Sequence, residues 1–314
     1  MVRMLIVIGV IATAMLGSSA AAGASSPSGS QSIVFAGVRW SNCCVTSQIY
    51  AIGADGRGQR RLTGIGAWQD SGPAWSRDGK RIVFGRSGQH GSALYVMDAR
   101  GGHLHAITKG MSPSGTPSWS PDGRSIVFAG MPQPVPMTFA QQLYITASRG
   151  GGARQLTRYS LFRGGAGEPS WSFNGKLILF SASRSLAAGA RTDVWSVKPN
   201  GSGLRQLIAG ATDPAWSPDG KRVAFVRGKQ IYTATAAGRD ALRLTSTATE
   251  KSSPSWSPDG TRIVFSNTHR YKDPARDDDR LAIIAANGTG LLEITDTNPN
   301  FWADQPAWQP TTAG

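Results

Sequence analysis

The chain has 314 residues, enough for one large domain or two ordinary ones. Hydrophobic residues at 40% and 10 Trp exclude a disordered chain; 39 Gly, a charged fraction of 17% and no long helical-period run exclude a helical bundle or coiled coil. The net charge of +14 admits nucleic acid, anionic lipid or acidic polymers as partners, but the cations form no run of five, so they read as a solvating surface with a diffuse attraction to an anionic envelope.

Arg3 puts a positive charge at the start, and Met4 to Leu16 is an apolar run too short to span a bilayer comfortably. Ala22-Gly23-Ala24 follows as an A-x-A cleavage site. Residues 1–24 are therefore expected to be a secretory signal peptide, and 25–31 a flexible leader. No membrane span is expected after cleavage. The mature chain is expected in the periplasm or outside the cell, without a specific nucleic-acid partner. Cys43 and Cys44 then face an oxidising compartment. They either close into a strained vicinal ring or remain as free or intermolecularly paired thiols.

From residue 73 one phrase recurs: Pro73-Ala74-Trp75-Ser76-Arg77-Asp78-Gly79, then copies around Trp119, Trp171, Trp216 and Trp256, and a shortened one at Pro306-Ala307-Trp308-Gln309-Pro310. Pro at the second turn position and Gly at the fourth favour a tight turn after the Trp. A β-branched and aromatic strand follows, as in Ile82-Val83-Phe84; then comes a third strand such as Leu94-Tyr95-Val96-Met97. A Gly-rich hairpin leads to a fourth strand ending in Leu-Thr or Ile-Thr, as at Leu62-Thr63 and Ile294-Thr295. Four antiparallel strands in ~40–45 residues is the period of a β-propeller blade. Five units run from Pro73 to Thr295. The N-terminal segment 32–63 lacks a first strand and 305–310 is a first strand without a blade. The expected fold is all-β: a six-bladed β-propeller over 32–310, its ring closed by the C-terminal strand, with blade one built from both ends.

The phrase Pro-[Ala/Ser]-Trp-Ser-Pro-Asp-Gly with its later Leu-Thr resembles the WD-like (PD40) repeat of the TolB propeller family over roughly residues 32–310. TolB carries an α/β domain ahead of its propeller; this chain is expected to hold the propeller alone.

The sequence contains no Gly-x-Ser-x-Gly, P-loop, Gly-x-Gly-x-x-Gly or Cys-x-x-Cys. His103 and His105 share a strand face but form too small a metal set, and Asp277-Asp278-Asp279 lacks the spacing of a calcium loop. No catalytic residue, cofactor or metal site is expected, apart from a cation at an acidic channel mouth. The tight turns occupy one face of the disc. The opposite face takes the long segments Val38–Ser47, Met131–Gln141, Arg158–Glu168, Ala182–Thr192, Asn267–Arg280 and Asp296–Gln305. Binding residues are expected there. Trp40, Phe139, Phe162, Phe301 and Trp302 would serve as aromatic anchors, with Cys43 and Cys44 in a stiffened loop. Asp70, Glu168, Asp213 and Asp304 would ring the channel mouth. The expected function is a monomeric, non-enzymatic binding or scaffolding module for a protein or envelope component. The alternatives are a channel-centred lyase or lactonase, and an electrostatic binder of anionic envelope polymers.

Overall fold

Each Ser-x-Asp-Gly phrase closes its turn with one recurring set of hydrogen bonds. Ser76 Oγ donates to Asp78 Oδ1 (2.6 Å) and accepts from the Arg81 amide (2.9 Å), while Gly79, at φ +63°, donates its amide to the Ser76 carbonyl (2.8 Å). The hydroxyl–acid bond repeats at Ser120–Asp122, Ser217–Asp219 and Ser257–Asp259, and Asn174 takes the acid's place beside Ser172. The Leu-Thr phrase has an equally local cause. The Thr hydroxyl accepts an amide within the third strand, Ile49 to Thr63 and Leu94 to Thr108, and again at Thr157, Thr245 and Thr295. The apolar residue before it is buried: Leu62, Ile107, Leu156, Leu244 and Ile294.

The computed structural model describes residues 31–40, 45–89, 91–133, 140–158, 160–185, 187, 189–271, 277–295 and 301–311. Among them every regular element is a strand. The strands are β1 (Ser32–Trp40), β2 (Val45–Gly53), β3 (Arg60–Arg61), β4 (Trp68–Trp75), β5 (Arg81–Gly88), β6 (Gly91–Asp98), β7 (His105–Ala106), β8 (Met111–Trp119), β9 (Ser125–Pro132), β10 (Gln142–Ala147), β11 (Arg154–Gln155) and β12 (Ala166–Trp171). The second half holds β13 (Ile178–Ala182), β14 (Asp193–Val197), β15 (Arg205–Ile208), β16 (Thr212–Trp216), β17 (Arg222–Arg227), β18 (Gln230–Thr235), β19 (Leu242–Arg243), β20 (Glu250–Trp256), β21 (Arg262–His269), β22 (Asp278–Ala285), β23 (Leu292–Glu293) and β24 (Phe301–Trp308).

These strands form an all-β propeller. Strands β8–β11, β12–β15, β16–β19 and β20–β23 make four separate four-stranded antiparallel sheets. The remaining eight are not two separate sheets, as the repeat count anticipates. A single parallel pairing, Ser47 with Gln69, fuses β24, β1, β2 and β3 with β4–β7 into one eight-stranded sheet. β24 pairs antiparallel with β1, Ile33 opposite Trp308 and Arg39 opposite Phe301. The innermost strands β4, β8, β12, β16, β20 and β24 touch in that order, and β24 touches β4. The second strand of each set buries one Phe completely: Phe35, Phe84, Phe128, Phe180, Phe225 and Phe265.

The residue before the Trp decides how neighbouring inner strands are joined at five of the six phrases; after Ala307, the Trp75 indole N–H has no such partner among the described residues. Where it is Ser, the hydroxyl accepts the next Trp's amide: Ser118 from Trp171 (3.0 Å), Ser170 from Trp216 (3.1 Å) and Ser255 from Trp308 (3.2 Å). After Ala74 and Ala215 the next Trp uses its indole instead, Trp119 Nε1 to the Ala74 carbonyl and Trp256 Nε1 to that of Ala215, both at 3.1 Å. Arg81, Arg222 and Arg262 lie over Trp119, Trp256 and Trp308 at 4.6, 4.6 and 5.0 Å, adding cation–π attraction between sheets.

Candidate functional site: the central channel

All six inner strands slip register just ahead of their Pro. The backbone there is left-handed, at Gly72 (φ +58°), Gly115 (+61°), Glu168 (+46°), Asp213 (+52°), Ser253 (+52°) and Gln305 (+54°). Four of these are not glycine, and a left-handed residue before Pro is doubly disfavoured, so the ring stores backbone strain. Contacts between successive members hold it. Gln305 Oε1 accepts the Gly72 amide (2.7 Å), and Asp213 Oδ2 accepts the Ser253 amide (3.1 Å). Glycine is required at Gly72, where a Cβ would lie 2.1 Å from the Gly115 carbonyl oxygen; at Gly115 a Cβ would meet only the movable end of the Glu168 side chain.

This ring is the waist of a channel with a cavity on either side. The cavity on the long-segment face, about 660 Å³, is lined by Arg191, Arg227, Lys229, Glu250, Lys251, Arg270, Asp279, Asp304 and Asp213. The cavity on the tight-turn face is larger, about 810 Å³. Its walls carry Pro117, Pro169, Pro214, Pro254 and Pro306 with Trp75, Trp216, Trp256 and Trp308, and Glu168 and Asp213 reach it from the waist. Asp213 lines both cavities.

A ring of repeated inner strands around a channel is an architecture this chain shares with known proteins. The TolB beta propeller domain family matches residues 58–213 and 136–312, most of the chain. The chain belongs to that family. No curated protein sequence matches it. Among solved structures, TolB from Acinetobacter baumannii superposes with a TM-score of 0.71 at 21% identity, over 90% of this chain and 67% of that one. The putative TolB from Agrobacterium tumefaciens gives 0.64 at 19%, over 90% and 100%. The hydrazine synthase of Kuenenia stuttgartiensis gives 0.69 at 16%, over 90% of this chain and 47% of that one. At these identities the likeness is one of fold.

Electrostatically, this TolB-family propeller gathers acids without ion pairs around the long-segment cavity. Asp213, Asp279 and Asp304 form no ion pair among the described residues. Burial raises the Asp213 carboxyl, and the nearby Asp304 carboxyl pushes the same way. Asp279 is raised for the same two reasons. Burial, with Asp213 alongside, pushes Glu168 up to about 7. The cavity wall holds the opposite case. Lys251, buried at 3% exposure, donates Nζ to the Thr249 carbonyl (2.6 Å) and to the Thr247 and Thr249 hydroxyls; burial lowers it to about 8.

Because the Glu168 pKa is higher in the folded chain than in the unfolded one, stability is lost as pH rises from about 4.5 to about 7. Glu168→Gln removes that penalty. It should stabilise the protein by about 1–3 kcal/mol at pH 8 and leave it unchanged at pH 4. Melting temperatures of both proteins across that range check it; parallel curves would contradict it.

The sequence-predicted site residues divide. Glu168, Asp213 and Asp304 do converge, at the waist rather than the mouth. Asp304 Oδ1 is engaged by Ser266 Oγ (2.6 Å) and the Gln305 amide (2.7 Å). Asp70 is not a mouth residue: it is 0% exposed and clamped by Arg86 Nε (2.6 Å) and Nη2 (2.8 Å). Two expected anchors are core residues. Phe162 is 0% exposed, edge-on to Phe180 and Trp195, because the segment after Arg158 turns back under its own sheet. Phe301 is 8% exposed, edge-on to Phe35 and Tyr50, because β24 begins there. Trp302 is half-buried, opposite Val38. Cys43, Cys44, Phe139 and the expected signal peptide lie outside the described residues, as does the Trp40 side chain. Sequence reasoning missed Lys251 and set Asp279 aside with its neighbours as a poor calcium loop; both sit inside strands whose polar residues carry no recurring motif.

Proposed function

We propose that the chain is an exported, non-enzymatic binding or scaffolding propeller. In this reading the fused sheet counts as two blades, giving six, with β24 closing the ring on β1. Its partner is a protein segment of the envelope or extracellular space, seated in the long-segment cavity. The observation that carries this reading is the charge layout there: unpaired Asp213, Asp279 and Asp304 form the floor, and Arg191, Arg227, Lys229, Lys251 and Arg270 stand around it. Such a site favours a segment with an amine or guanidinium at its tip and carboxylates along its flanks, and complementarity of this kind fixes orientation more than affinity. Membership of the TolB beta propeller domain family supports the envelope assignment. Among the described residues no helix is long and apolar enough to cross a membrane.

A photo-crosslinking residue at Lys229 should capture a discrete partner from a solubilised envelope fraction. The same residue at Arg100, on the tight-turn face, should not. Capture at Arg100 and none at Lys229 would overturn the assignment of the face.

A second reading draws on Glu168. A carboxyl titrating near neutrality beside Asp213 suits general acid–base chemistry in a channel-centred lyase or lactonase. Turnover of a uronate oligomer or a lactone, abolished in Glu168→Gln, would favour it over the scaffold.

A further inference from the structure

The second turn position is Pro at Pro121, Pro218, Pro258 and, in the last copy, Pro310. The two turns that depart carry Arg77 and Phe173, and these two side chains meet. The Arg77 guanidinium carbon lies 3.4 Å from the centre of the Phe173 ring, and Nη1 donates to the Phe173 carbonyl at 3.1 Å. The turns follow β4 and β12, which are not neighbours, since β8 with its Pro121 turn stands between them. The contact therefore spans a chord of the channel mouth. Both residues line the 810 Å³ cavity, whose inner end reaches Glu168 and Asp213.

We propose that Arg77 and Phe173 form a strap that gates the tight-turn mouth of the channel. Phe173 is 48% exposed, so its ring is held from one side by Arg77 rather than by a surrounding core. Loss of solvent around Arg77 lowers its guanidinium pKa, while the Phe173 ring face attracts the cation that remains. The turns do not need the strap. Ser76–Asp78 and Ser172–Asn174 hydrogen bonds hold them whatever occupies the second position. The strap opens and closes on a scaffold that stays folded, and two prolines in its place would leave the mouth as open as the other turns leave it. The gate lies on the face opposite the proposed partner site, so it stands or falls independently of that reading.

The test is the reactivity of a cysteine beneath the strap. Thr116→Cys, in the full chain with Cys43 and Cys44 replaced by Ser, places a thiol in the cavity wall. With the strap intact, a bulky maleimide should label it at least about tenfold more slowly than a small methanethiosulfonate. Arg77→Ala and Phe173→Ala should each raise the maleimide rate about tenfold with the methanethiosulfonate rate unchanged. The double variant should be no faster than either, because one contact is broken once. Phe173→Tyr, which keeps the ring and carbonyl, should label at the parent rate. Equal maleimide rates in parent and alanine variants, at unchanged melting temperature, would overturn the proposal and leave the pair a surface contact.

Discussion

Trp308→Ala should destabilise the protein by about 3–5 kcal/mol, the usual loss for truncating a buried Trp. The residue is 4% exposed and pairs with Ile33 at the other end of the described chain. Its amide reaches Ser255 Oγ and Arg262 covers its ring. Removing it leaves a cavity and loosens the inner strand that joins β1 to the rest of the ring. Trp216→Ala is the comparison: that side chain is only half-buried, so its loss should be clearly smaller. Equilibrium urea unfolding of the two variants measures the difference. Equal midpoints would mean that β24 adds no more than any other inner strand.

Arg86→Met should cost a similar amount, about 3–5 kcal/mol, for an electrostatic reason. The substitution leaves the wholly buried Asp70 carboxylate without the guanidinium that engages both its oxygens. Packing is lost too, since Arg86 lies 4.8 Å from the Trp68 ring and 5.0 Å from that of Tyr95. Breaking one partner of a buried pair strands a charge, whereas replacing both need not. Arg86→Met with Asp70→Leu should therefore recover most of the loss. Thermal or urea denaturation of the single and double variants checks this; a double variant as unstable as the single one would contradict it.

What was legible in the sequence is what local chemistry decides. Ser, Asp and Gly of the turn phrase bond within five residues of one another, and the Leu-Thr phrase closes across a spacing of fourteen. The strand order follows from these. Two of the five expected aromatic anchors, Phe162 and Phe301, are core residues because their fate is set by tertiary contact. Phe162 and Phe301 stand outside the repeated phrases, yet each reaches an apolar cluster packed between two neighbouring sheets. The acids were placed too near the mouth because the inner strands begin before the Trp phrase, β4 at Trp68 and β20 at Glu250. Arg77 and Phe173 are visible as departures from the repeat. Their meeting is not, since the residues are 96 apart in sequence and joined only by the curvature of the ring.

The claim that function resides on the long-segment face is tested most directly by measuring binding of a solubilised envelope fraction to immobilised variants with unchanged melting temperature. Asp213→Asn with Asp304→Asn, or Lys251→Met, should reduce bound partner about tenfold, while Arg100→Glu and Arg124→Glu should leave it unchanged. Full binding by the waist and wall variants, with loss on reversing the tight-turn charges, would contradict the account and point to electrostatic attachment through the basic surface.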